Sequence, residues 1–196
     1  VFAPIVAPQD PAAQDLSLRL LPPAWTEGGS PDHLLGTDQL GRDLLSRIIY
    51  GTRVSLVVAV ATVAITFVVG TLAGMAAGYF GGKIDNAIMG VTDTVMAFPG
   101  LLMILTVAAF MGAGRGTIIA ALSVRFWTTY ARIARGAVLA VKETDFMTAA
   151  KVIGGKRIHV VRKHLVPNIM SPLATLIPLE LGRVMLAEAS VSFLGM

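Results

Sequence analysis

The chain has 196 residues, 55% of them hydrophobic and 14% charged, with a mean hydropathy of +0.72. Soluble domains carry about 25% charged residues, so the composition excludes an ordinary soluble domain and points to membrane spans. The net charge of +4 is sorted along the chain, and zero cysteines exclude disulfides and thiolate-bound metals.

Residues 1–53 hold four arginines against six carboxylates, whereas residues 132–164 hold eight basic residues against two carboxylates. Positive charge gathers on the cytoplasmic side of membrane proteins, which places the second stretch inside and the first outside. The high pI therefore needs no nucleic acid to explain it.

The chain opens on Val1-Phe2-Ala3-Pro4 and stops at Phe193-Leu194-Gly195-Met196. It reads as a fragment whose first residues are the outer end of a span, too short for a signal peptide. Residues 8–35 are rich in Pro, Gly, Asp and Ser and read as an external loop, with Trp25 and Leu34-Leu35 expected to dock on helix ends. Leu40, Leu44, Ile48 and Leu45, Ile49 then predict an amphipathic helix beginning near Asp38 and lying on the outer interface, with Arg42 and Arg47 on its polar side.

Val54 to Gly82 carries no charge in 29 residues, enough to cross a ~30 Å hydrocarbon core. Gly70, Gly74 and Gly78 recur every four residues, a small-residue stripe that reads as a packing seam for a neighbouring helix. Gly81-Gly82-Lys83 predicts a tight cytoplasmic turn. The next span runs from about Asn86 to Met111, with Asp93 two turns in and a break at Phe98-Pro99-Gly100. A further helix runs from near Thr117 to about Leu139 with Arg125 in its apolar part, and Arg132 and Arg135 mark its exit. The last span, from Leu165 to about Gly195, carries Pro167, Pro172 and Pro178 and then Glu180, Arg183 and Glu188.

Charged groups inside a membrane each cost about a few kcal/mol or more, so Asp93, Arg125, Glu180, Arg183 and Glu188 are expected to face a bundle interior or a wet cavity. They fit either a solute path or salt bridges between helices, and Glu180 with Arg183, three apart, is the pair most suited to a structural role. His33, His159 and His164 are too scattered for a metal site. No phosphate-cradling G-x-x-x-x-G-K-[ST] and no G-x-S-x-G nucleophile motif occurs, so neither ATP hydrolysis nor other catalysis is expected of this chain, and no catalytic residue is assigned.

Between the last two spans lies the basic island Asp145 to Asn168. Phe146, Ala149, Ala150 and Ile153 fall on one face of a short helix, which Asp145 can cap and Gly154-Gly155 can end. Two readings fit the pattern: a small-residue face docking into another protein's cleft, and a basic loop lying on lipid headgroups.

Thr148-Ala149-Ala150, Gly154 and Pro167 stand at the spacings of the "EAA loop" in membrane subunits of bacterial ATP-binding-cassette importers, and the stretch resembles that loop. The departures are Thr148 where the family has Glu and His164 where it often has Ile. Residues 33–56 and the loop before them resemble the dipeptide, oligopeptide and nickel branch of that family.

The resemblance implies an all-α, polytopic bundle of the type I importer permease fold, with about four spans here and six in the parent protein. It divides the chain into a first-span end, periplasmic loop and interfacial helix (1–53) and a permease domain (54–196) with the coupling loop at 142–166. Asp145, Phe146, Thr148, Ala149, Ala150, Gly154, Pro167 and Asn168 would then meet the ATPase, and the five buried charges would border the path. The implied partners are a second homologous permease, two ATPases that bind ATP and magnesium themselves, and a periplasmic or lipid-anchored solute-binding protein, at the bacterial inner membrane. The chain itself would carry no cofactor. Dipeptide, longer peptide, glutathione and nickel all remain open as solutes. A secondary transporter would show inverted repeats, and none is visible. A scaffold without transport is the remaining alternative.

Overall fold

The structure is a computed structural model that describes residues 3–112, 114–144 and 161–193. The described residues are helical, and their only strand-like feature is an isolated antiparallel bridge between Thr37 and Asp43. The elements are α1 (Ala3–Val6), a 3-10 turn at Leu16–Leu18, α2 (Leu44–Phe80), α3 (Gly82–Ala97), α4 (Gly100–Met111), α5 (Arg115–Lys142), a π-helical turn at Val161–Leu165, α6 (Val166–Ala174) and α7 (Ile177–Phe193). Contacts gather the chain into two compact units that divide after Val57.

The first unit is a loop held by buried hydroxyl and carboxylate groups. The Thr37 hydroxyl accepts from Leu21 N at 2.9 Å and donates to Leu18 O, fastening two loop strands together. Gly41 has φ of +70°, and a Cβ there would sit 1.7 Å from Asp15 O, so only glycine fits this turn. The amphipathic helix expected from Asp38 starts later, at Leu44, and runs unbroken to Phe80. Asp38 is instead used up in the turn: its carboxylate accepts from Leu40 N (2.8 Å), Arg42 N (3.0 Å), Arg42 Nε (2.8 Å) and Arg47 Nη1. Such local bonds compete with helix. Asp43 caps the helix, its Oδ2 accepting Ser46 N at 2.7 Å. Trp25, expected to dock, is 71% exposed, and Leu34 is 48% exposed, because backbone bonds such as Ala24 N to Leu34 O order the loop without them.

In the second unit, Gly70 and Gly74 bring α2 against α5. A Cβ on Gly70 would lie 2.3 Å from Trp127 O, and one on Gly74 2.1 Å from Ala131 O. Tyr130, Ala134 and Val138 of α5 form a buried cluster with Leu165, Ile169 and Leu173. A second cluster joins Val58, Ile104, Leu122, Val184 and Val191.

Helix α2 is by length and composition able to cross a membrane alone. The pairs α3 with α4 and α6 with α7 also qualify when each is taken as one bent span, giving up to three among the described residues. The 96° bend follows from Pro99, which cannot donate to the preceding turn. The 48° bend falls where the Pro178 ring opposes the carbonyl of Ala174. The remaining expected span, third in chain order, corresponds to α5, which carries Arg125, Arg132, Arg135 and Lys142 and is not among the helices apolar enough to cross by composition.

Candidate functional site

The charges expected within the spans, with their partners, fall into two groups. The first lies between α3 and α5. Asp85, in the first turn of α3, receives Arg135 Nε and Nη2 at 2.5 and 2.6 Å, a two-pronged ion pair. Asp93, two turns on, receives Arg132 Nη2 at 2.7 Å. Two carboxylates eight residues apart on α3 thus meet two arginines three residues apart on α5. Arg125 lies two turns before Arg132, and its Nη1 donates only weakly to Thr128 Oγ1, at 3.3 Å. Among the described residues no carboxylate lies within salt-bridge distance of it.

The second group is on α7, where Glu180, Val184, Glu188 and Val191 form the buried face. Glu180 is 1% exposed, and its Oε1 accepts from Arg183 Nη1 at 2.9 Å, while the Arg183 side chain stays 54% exposed. The Glu180 Oε2 and the hydroxyls of Tyr130, Thr62, Thr71 and Ser123 are buried without hydrogen-bond partners among the described residues. Glu188 is buried and receives Ser192 Oγ at 3.2 Å.

The five charges singled out from sequence are therefore not gathered at one point. Glu180 and Arg183 pair with each other, as their spacing suggested. Asp93 and Arg183 are the exceptions to expected burial: their side chains are 66% and 54% exposed in this chain, and the Asp93 partner Arg132 is 51% exposed. An ion pair cannot face lipid at such exposure, so this edge of α3 and α5 meets water or protein.

Sequence reasoning did not identify Lys142. Its Nζ donates to Gly78 O and Tyr79 O, both at 3.0 Å, and caps the last turn of α2 from the end of α5. The signal was a lysine at a helix exit, which position alone does not distinguish from a solvated charge.

Of the expected ATPase-coupling residues, Asp145, Phe146, Thr148, Ala149, Ala150 and Gly154 lie outside the described residues. Pro167 and Asn168 open α6 on its exposed side, Pro167 in the first turn, where its missing N–H costs nothing.

Outside the membrane segments, burial works against ionisation of the Asp38 carboxyl. The N–H groups of Arg42 and Leu40 and the Arg42 guanidinium outweigh it, holding the carboxyl down at about 2. Burial likewise opposes, and the Ser46 and His33 hydrogen bonds overcome, ionisation of Asp43, which stays below the usual carboxylate range.

Residues 70–196 match the model of a family described as "Binding-protein-dependent transport system inner membrane component". The whole chain is 39% identical over 196 residues to the "Dipeptide transport system permease protein DppC" of Bacillus subtilis (strain 168), covering 59% of that protein. It is 37% identical over 195 residues to the dipeptide permease DppC of Haemophilus influenzae, covering 66% of it. Over 170 residues, 87% of this chain, it is 35% identical to the "Glutathione transport system permease protein GsiD" of Pectobacterium atrosepticum, covering 56% of it. The chain thus spans roughly three fifths to two thirds of the length of these relatives. Its backbone is similar to the crystal structure of an amino acid ABC transporter with histidines, with a TM-score of 0.53 at 16% identity, covering 75% of this chain and 76% of that one. The fold is that of an ABC importer permease.

Proposed function

The chain belongs to the family of binding-protein-dependent transport system inner membrane components, and on that premise we propose that its parent protein is one permease subunit of an ATP-binding-cassette importer for di- and oligopeptides. The observation that carries this reading is similarity across the whole chain to dipeptide permeases, external loop included, rather than across the membrane helices alone. The glutathione permease relative keeps the solute within the peptides while adding a second carboxylate.

In this reading the protein is a multi-pass subunit of the bacterial inner membrane and does no bond chemistry. ATP and magnesium are held by two partner ATPases, a second homologous permease completes the path, and an external solute-binding protein delivers cargo. The stretch Asp145 to Gly154, with Pro167 and Asn168 after it, transmits ATPase closure to the helices. It acts through the difference between its contacts in two ATPase states. Two charged links suit transmission from the end of α5: Lys142 to the last turn of α2, and Arg135 to Asp85 at the start of α3. Asp93, Arg125, Glu180, Arg183 and Glu188 border the path or brace it.

The test is co-purification of the full-length protein with its ATPases, comparing wild type with Ala149→Glu and Gly154→Glu. The reading expects the ATPases with wild type and their loss from either variant, with the permease still in the membrane. ATPase binding indifferent to both substitutions would remove the coupling assignment.

A further inference from the structure

We propose that Arg125 is the subsite that takes the carboxylate of the solute during its passage; the proposal rests on the peptide reading above.

Three observations on the α3–α4–α5 edge converge on it. Arg135 and Arg132 each have a carboxylate on α3, at 2.5 and 2.7 Å. Arg125 continues the same line of α5, two turns further, and has no carboxylate within reach among the described residues. Helix α3 has no acidic residue between Asp93 and the Phe98-Pro99 break, so a third acidic rung cannot come from it.

What stands opposite Arg125 is Gly100. A Cβ built there would lie 3.1 Å from Arg125 Nε and 3.7 Å from its Cδ, so the side chain lies along the first turn of α4. The α4 N-terminus has Pro99 as its cap and no side-chain cap bond. Its orphan N–H groups and dipole add positive potential where the guanidinium already is. Thr128 takes one Arg125 N–H at 3.3 Å, and a guanidinium has five donors in a fork that matches a carboxylate.

An uncompensated cation in a membrane helix is costly, and neighbouring acids normally offset it. Here the partly exposed Arg125 stands on the same face of α5 as Arg132, two turns before it, and the Asp93–Arg132 pair is exposed. An anionic group arriving from that side would find a fork with donors to spare. A peptide brings such a group as its C-terminal carboxylate. The guanidinium repels a peptide's ammonium end and matches its carboxylate, so the charge of Arg125 selects the carboxylate end.

The experiment uses the complete transporter with its binding protein in proteoliposomes. Uptake of alanylalanine and of its C-terminal amide is measured at saturating binding protein for wild type, Arg125→Gln and Arg125→Lys. The proposal expects the carboxylate-to-amide uptake ratio to fall roughly tenfold or more in Arg125→Gln, the worth of a charged hydrogen-bonded pair, and largely to survive in Arg125→Lys. The binding protein's own selectivity is common to all three and cancels. An unchanged ratio would overturn the subsite alone. Loss of complex assembly in Arg125→Gln, restored in Arg125→Lys, would show that a partner subunit's carboxylate sits there, and would also overturn it. Uptake of neither probe by wild type would remove the peptide reading and the subsite together.

Discussion

Gly74→Ala tests whether the glycine stripe sets the spacing of α2 and α5. An added Cβ would lie 2.1 Å from Ala131 O, 2.8 Å from Ala134 Cβ and 2.9 Å from Ala131 C. Two of these three atoms are backbone, so no rotamer change relieves the clash. The helices must part by more than an ångström for the methyl to reach van der Waals distance. Parting loosens the cluster of Tyr130, Ala134 and Val138 with Leu165, Ile169 and Leu173. Overpacking of a fitted core costs about 1–3 kcal/mol, and at this size each kcal/mol lowers Tm by roughly 2–4 °C. Gly136→Ala is the control, because a Cβ there meets nothing within 4 Å and alanine favours helix by about 1 kcal/mol. Thermal unfolding in detergent, followed by size-exclusion recovery, should show Gly74→Ala falling by several degrees and Gly136→Ala unchanged or higher. Equal melting of the two variants would refute a tight α2–α5 seam.

Two further outcomes follow from single contacts. Asp38 has its folded pKa pressed down to about 2, below the about 3.9 of an unfolded aspartate. Its contribution to loop stability is therefore full above pH ~4 and is lost as pH falls through about 2; carbon NMR of the Asp38 carboxyl should titrate near 2, and a midpoint near 4 would break the turn assignment. Lys142→Met removes two bonds to the last carbonyls of α2. Such a cation at a helix C-terminus is worth up to about 1 kcal/mol, so amide exchange over residues 77–82 should rise roughly fivefold, and unchanged exchange would mean that Lys142 does not hold α2.

The long apolar run 54–82, the glycine period and the proline break were legible because each is a local rule: hydropathy, small-residue spacing, a missing N–H. The 96° bend at Pro99 and the Glu180–Arg183 pair followed directly. The start of α2 did not, because Asp38 and Asp43 are equivalent as cap candidates in sequence, and only the Gly41 turn and the Asp38–Arg42–Arg47 bonds decide between them. The Asp85–Arg135 and Asp93–Arg132 rungs span 50 and 39 residues of chain. No periodicity in one segment reports a partner that far away. Trp25 differs from expectation for a local reason: an aromatic in a Pro-rich loop suggests docking, but the loop's own backbone and side-chain bonds order it and leave the ring exposed.

Under the proposed function, ATP spent by separate subunits moves a peptide through a path this protein helps to form. The most direct measurement is uptake of labelled dipeptide into proteoliposomes holding the full-length protein, its homologous permease, the two ATPases and the binding protein. The account predicts accumulation that starts with hydrolysable ATP, stops with a non-hydrolysable analogue and requires every subunit. Accumulation driven by an ion gradient, with the ATPases left out, would contradict it.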